Sequence, residues 1–306
     1  MNWLKSKKVV AVHSGSFHPD DVFSVALLSI LHEGKIKVIR TRDEKIYSQA
    51  DYILDVGLEY DPAKNKFDHH QVGGAGLRNN KIPYSTIGLL WQKYGEKICG
   101  SKEIADLIDA KLIVVIDADD TNFNIYKPII DGLKPFQLTD IIYSMGPNWK
   151  ERQLDANKIF LRAVDFAKGV LLREIKVAKD RMEIITIIKS YYEKSRDKRL
   201  IIIDSPKVSR FEIWDALDSF PEPLFAVYGS QDDWALLAMR VGRDDFRNRK
   251  SLPASWGGLA YNDLVKLTGV SDALFCHPGL FLAGAKSKEG VIKLAELALI
   301  EDVKNN

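Results

Sequence analysis

Apolar positions along the chain fall into short runs whose period changes. Val9–Val12 is a four-residue apolar run between Lys8 and the polar His13-Ser14-Gly15, and it predicts a buried strand ending in a loop. Asp20 or Asp21 can then cap a helix whose broad apolar face is Val22, Phe23, Val25, Ala26, Leu27, Ile30 and Leu31, with Gly34 as its stop. Ile36–Ile39 and Tyr52–Leu54 read as the next two strands. Strand, helix, strand at this spacing predicts a parallel sheet with crossover helices, which places His13 and Asp55 just past the carboxyl ends of strands, where such sheets hold ligands.

Asp61–Lys66 reads as a turn that delivers Phe67-Asp68-His69-His70 on a short strand or its exit. Pro83 opens a predicted helix through Tyr94, with Gly95 as its stop. Lys102–Ile116 fits helix or strand equally. Gly132, Pro135, Gly146 and Pro147 break the pattern, and a long Pro-free helix follows from about Leu154 to Lys194. Strand-type runs return at Leu200–Ile203, Leu224–Val227 and Trp234–Met239, and helical ones at Tyr261–Leu267 and Lys288–Ile300. The predicted fold class is α/β: a parallel-sheet N-terminal domain over residues 1–195, including the helical spacer, and a smaller C-terminal α/β domain over 196–306.

Composition narrows the class without deciding function. The 306 residues are 46% hydrophobic and 28% charged, as in a globular protein. A net charge of only +2 supplies no whole-chain field for nucleic acid, so any anion-binding surface is local. Cys99 and Cys276 form neither a disulfide framework nor a zinc motif. Without an apolar signal core or a complete membrane span, the expected location is cytoplasmic, away from membranes.

Histidine placement is the strongest chemical signal. Five of the six histidines lie in the first 70 residues, and four of these sit in His13–Asp21 and Asp68–His70. Alone, the first cluster is equally well a polar turn with an N-cap aspartate, the second a solvated loop, and Asp55 or Asp117–Asp120 a turn or charged helix end. Together they point to a site for more than one ion, with donors that suit manganese, iron or zinc better than calcium. Two such ions are a common device for cleaving phosphate esters.

These segments in this order resemble the DHH phosphoesterase superfamily. The likeness is greatest to the family of the melanocyte proliferating gene product, metal-dependent 3′–5′ RNA exonucleases. It rests on His13–Asp21, Arg40-Thr41-Arg42-Asp43, Asp55-Val56-Gly57, Phe67–Gln71, Tyr84–Trp91, Arg249–Leu259 and Phe275–Gly284. The resemblance implies a DHH-type N-terminal domain and two manganese ions. His13, His18 and Asp55 would hold one ion; Asp20, Asp55, His69 and a fourth-motif aspartate, Asp120 ahead of Asp117, would hold the other. His70 would meet the scissile phosphate or move a proton, and Asp68 would orient its neighbours. The chain departs from the pattern in three places: His18 stands where the superfamily usually has aspartate, Leu58 where a glycine is common, and no glycine follows the fourth motif.

The implied reaction is phosphodiester hydrolysis by metal-activated water, from the 3′ end of single-stranded RNA or a short oligonucleotide. Arg247, Arg249 and Lys250, beside Phe246 and Trp256, would grip that strand from the second domain, with His277 and Lys286 as further contacts; a solvated charged loop is the alternative. Arg40 and Arg42 read either as phosphate contacts or as partners of acids such as Asp43. Competing functions are hydrolysis of a small phosphate compound, pyrophosphate or a cyclic dinucleotide, and a non-catalytic nucleotide-binding regulatory module. A homodimer is compatible with this reading.

Overall fold

The computed structural model describes residues 7–151, 153–204, 208–230, 232–243 and 245–300. The chain divides into two compact units, after Lys179.

In the first unit the strands are β1 (Lys8–Val12), β2 (Ile36–Arg40), β3 (Tyr52–Leu54), β4 (Tyr60–Asp61) and β5 (Lys66–Phe67), in sheet order β2-β1-β3-β5-β4. All neighbours are parallel except β4 and β5, which form a hairpin around the turn at Pro62–Lys64. The register has a direct consequence for chemistry. Val12 pairs with Leu54, and Leu54 with Phe67, so the residues that follow them, His13, Asp55 and Asp68, lie side by side along the carboxyl edge.

The helices are α1 (Pro19–Leu31), α2 (Glu44–Tyr47), α3 (Thr86–Cys99), α4 (Lys102–Ile108), α5 (Val114–Asp120), α6 (Leu138–Met145) and α7 (Ala156–Lys194). The helix expected from Pro83 to Tyr94 instead begins at Thr86 and ends at Gly100, whose φ of 84° is the left-handed cap. Gly95 lies inside it because Trp91 packs over that position: an added Cβ would meet the indole at 2.9 Å. The ambiguous segment 102–116 is helical throughout, α4 and α5 being joined by a π-helical turn at Asp109–Ile113.

The second unit has β6 (Leu200–Ile203), β7 (Phe225–Gly229), β8 (Trp234–Ala238), β9 (Arg240–Gly242), β10 (Asp245–Asn248), β11 (Ala273–Cys276) and β12 (Leu282–Ala285). Five of them form a mixed sheet, order β11-β12-β8-β7-β6, while β9 and β10 make a separate hairpin. Helices α8 (Arg210–Leu217), α9 (Asn262–Thr268) and α10 (Lys288–Ile300) complete it. Alternate residues of β7 and β8 feed two cores: Phe225, Val227, Leu236 and Ala238 pack with Leu264 and Leu294, and Ala226, Tyr228, Ala235 and Leu237 with Ile213, Leu217 and Ile188. Ile188 of α7 is thus part of this core, so the later turns of the long helix belong to the second unit rather than to a spacer. Among the described residues no helix is long and apolar enough to cross a membrane.

Candidate metal centre

Each element around the carboxyl edge contributes one or two polar side chains. His13 leaves β1 with Nε2 3.0 Å from Asp21 Oδ2 and 3.2 Å from Asp55 Oδ2. Asp20 and Asp21 occupy the first turn of α1, both fully buried. Asp21 Oδ1 accepts the His18 N–H at 3.0 Å, which fixes the helix start. Asp55 sits at φ 53°, in the left-handed region, as β3 turns away from the sheet. Its Oδ1 lies 3.4 Å from His69 Nε2 and 3.3 Å from His70 Nδ1. His69 Nε2 also stands 3.1 Å from Asp120 Oδ2, at the end of α5.

The donors gather into three overlapping groups whose ligand atoms lie within 4.8 Å of one another: His13, His18 and Asp55; Asp55, His69 and His70; His18, Asp20 and Asp120. Asp55 and His18 each belong to two groups. Asp20 Oδ1 is buried without a hydrogen bond, and Asp21 Oδ2, Asp55 Oδ2 and His69 Nε2 are buried against only the site's own imidazoles and carboxylates, with no backbone donor completing them. Buried carboxylates left this way are costly unless a cation completes them, so the residues fit a divalent-metal centre. Imidazole with carboxylate is the donor set of manganese, iron and zinc.

The charges respond to that crowding. Burial and the neighbouring carboxylates of Asp55, Asp120 and Asp21 push Asp20 well above the usual carboxylate range. Burial alone would raise Asp55 too, but the imidazoles of His13, His69 and His70 outweigh it and hold the group far below that range. Burial opposes protonation of His13, yet Asp21 and Asp55 raise it to about 10. Asp55 and Asp68 likewise raise His70 to about 10.

His70 differs from His69 in access. Its side chain is 53% exposed against 11% for His69. Asp68 Oδ1 accepts both the His70 N–H at 3.0 Å and Nδ1 at 2.9 Å, while Oδ2 accepts the Leu58 N–H at 2.7 Å. Asp68 therefore fixes the His70 ring rather than pointing into the donor groups.

Asp117 and Asp120 differ in what they touch. Asp117 Oδ1 accepts Ser85 N–H, Ser85 O–H and Gly88 N–H, and Oδ2 accepts Arg78 Nε at 2.7 Å. It caps the free amides of α3 from a neighbouring helix. That cap positions Thr86, which donates through Oγ1 to Asp55 at 3.2 Å and through its backbone to Asp20 at 3.3 Å. Asp120 faces His18 and Asp20 instead. Asp21, Thr86 and Tyr143 are the residues that sequence reasoning did not assign to the site. Tyr143 on α6 donates to Asp119 at 3.1 Å, its ring 6.3 Å from that of His18.

The basic residues of the second unit have other partners. Arg249 donates to the carbonyls of Arg240 (2.7 Å), Pro223 and Asp218 (3.1 Å each) and Phe220. Lys250 Nζ reaches the Leu299 carbonyl at 3.0 Å. Arg247 is exposed and paired with Asp245 at 2.6 Å. Phe246 is exposed and stacks on Arg240, whereas Trp256 is buried in the core, not a surface ring. His277 Nδ1 accepts the Gly279 N–H at 2.9 Å, and Lys286 is exposed just after β12. Arg249 and Lys250, expected as phosphate grips, are thus engaged with carbonyls of this unit's own loops and helix.

Residues 9–299 match the model of the MYG1 exonuclease family, described as an uncharacterised protein family (UPF0160). The chain belongs to this family. Its relatives include a MYG1 protein of Chlamydia muridarum, 31% identical over 97% of this chain and 98% of that one. Another is the MYG1 protein YER156C of Saccharomyces cerevisiae, 29% identical over 96% of each chain. The MYG1 exonuclease of Homo sapiens is 23% identical over 95% of this chain and 86% of its own. Among solved structures, RecJ of Thermus thermophilus in complex with Mn2+ aligns with 96% of this family member and 52% of its own length, at 12% identity and a TM-score of 0.28.

Proposed function

We propose that this family member is a metal-dependent phosphodiester hydrolase, an exonuclease that shortens single-stranded RNA or short oligonucleotides from the 3′ end. The observation that carries the reading is the trio of overlapping donor groups joined through Asp55 and His18. Curated relatives that carry the name exonuclease support it, as does the order of the motifs.

Two divalent ions, manganese by donor type, would supply an activated water and screen the phosphoryl charge. The chain's own residues do the rest. His13, His18, Asp20, Asp55, His69 and Asp120 would hold the ions in this reading, Asp55 being common to two of the donor groups. Asp21 and Thr86 brace them from behind. Asp68 engages His70 Nδ1, leaving Nε2 of a half-exposed ring to meet the substrate and carry a proton to the leaving oxygen.

The test offers manganese-loaded protein an end-labelled RNA, the matched DNA, a dinucleotide and pyrophosphate. Mononucleotide release from the RNA 3′ end is expected. Turnover of pyrophosphate alone would replace the reading with a small-phosphate hydrolase, and no turnover of any would return it to a binding module.

A further inference from the structure

Beside the metal centre, within the first unit, lies a second compartment of about 1030 Å³, at the upper end of small-molecule sites. Its walls include Gly15, His18, Arg40, Tyr143, Asn148 and Asn157. His18 belongs to two of the three donor groups, so the compartment opens directly from the candidate chemistry.

Arg40 is a cation fixed in that wall. Its guanidinium lies 4.6 Å from the Phe160 ring centre and 5.9 Å from that of Phe17. Nη2 donates to the Gly15 carbonyl at 2.7 Å and Nη1 to the Ala156 carbonyl at 3.4 Å. Among the described residues no carboxylate forms an ion pair with it, and two carbonyls leave guanidinium donors unused. Glu151 also lines the compartment but accepts the Asn148 N–H at 3.0 Å, and Asp21 acts on Arg40 only from beyond ion-pair distance; a positioned guanidinium with donors to spare suits a phosphate. Tyr143 adds a half-exposed ring held by its bond to Asp119, and a tied aromatic face suits a base. The amides of Asn148 and Asn157 offer donors and acceptors to base edges.

We propose that this compartment seats the nucleotide on the leaving side of the scissile phosphate, with its 5′-phosphate against Arg40 and its base on Tyr143. The inference rests on the exonuclease reading and adds to it the place of the neighbouring nucleotide.

The test is equilibrium binding of dinucleotides with a hydrolysis-resistant phosphorothioate link to manganese-loaded protein. The probes carry or lack a 5′-phosphate, and carry or lack the 5′ base. In the wild type each group should tighten binding about tenfold. Arg40→Gln should erase the benefit of the phosphate and keep that of the base. Tyr143→Leu should do the reverse. Manganese content and thermal unfolding of each variant check that the fold and the ions are retained. A phosphate benefit that survives in Arg40→Gln, a base benefit that survives in Tyr143→Leu, or neither benefit in the wild type overturns the proposal. Cleavage of an ordinary dinucleotide, assayed apart, judges the exonuclease reading alone.

Discussion

A methyl group on Gly88 would lie 2.2 Å from Oδ2 of Asp117. No side chain fits there while the carboxylate caps α3, so a residue of α3 and a residue of α5 are locked as a pair. Because Thr86 in the same helical turn donates to Asp55 and Asp20, the lock reaches the donor groups.

Gly88→Ala should therefore destabilise the protein by about 1–3 kcal/mol, the usual range for overpacking a tight site. It should also weaken manganese binding by displacing Thr86. Urea unfolding and metal titration of the variant measure the two effects. Unchanged stability would mean that the helices part without cost.

Metal should stabilise the fold. At a hundredfold excess over Kd, manganese is expected to add about 2.7 kcal/mol to the unfolding free energy, and calcium much less. Asp55→Ala should remove most of this gain and all turnover. Thermal shift with and without chelator reads it directly; a gain that persists in Asp55→Ala argues against the shared ligand.

The two adjacent histidines should part company. His69→Ala is expected to lose metal and turnover together, whereas His70→Ala should keep most of its metal and lose rate. Elemental analysis beside kinetics decides, and equal metal loss in both would end the division of roles.

In the second unit, Arg249→Ala should cost about 1–2 kcal/mol, because partly buried carbonyls lose a charged donor. Arg247→Ala, at an exposed pair, should leave unfolding unchanged. Matching denaturation curves for both variants would show that the carbonyl cluster adds little.

Burial pushes the thiols of Cys99 and Cys276 up to about 11. Their thiolate fraction at neutral pH is then about one in ten thousand. Alkylation of the native protein should be slow, rise steeply as pH approaches that value, and become fast in denaturant. Rapid labelling of native protein at neutral pH would contradict their burial.

What the sequence made legible follows the range of the interactions. Strands β1, β2 and β3 announce themselves because each is a short apolar run between polar residues, and the parallel order then aligns His13 with Asp55. Gly95 misled because a glycine can serve a neighbouring indole as well as a helix end. Asp21 read as an N-cap, but His18 holds that place and Asp21, three residues on, accepts its N–H; the second contact of Asp21, to His13, joins a helix to a strand end and leaves no mark in local spacing. Arg249 and Lys250 looked like free charges because their partners are backbone carbonyls, which no residue type advertises.

Asp55 and His18 each stand in two donor groups, so these groups do not act independently toward a cation. A cation that draws either residue toward itself changes the affinity felt by its neighbour, and the neighbour returns the same free energy. Metal held by one donor group is thus linked to metal held by its neighbour.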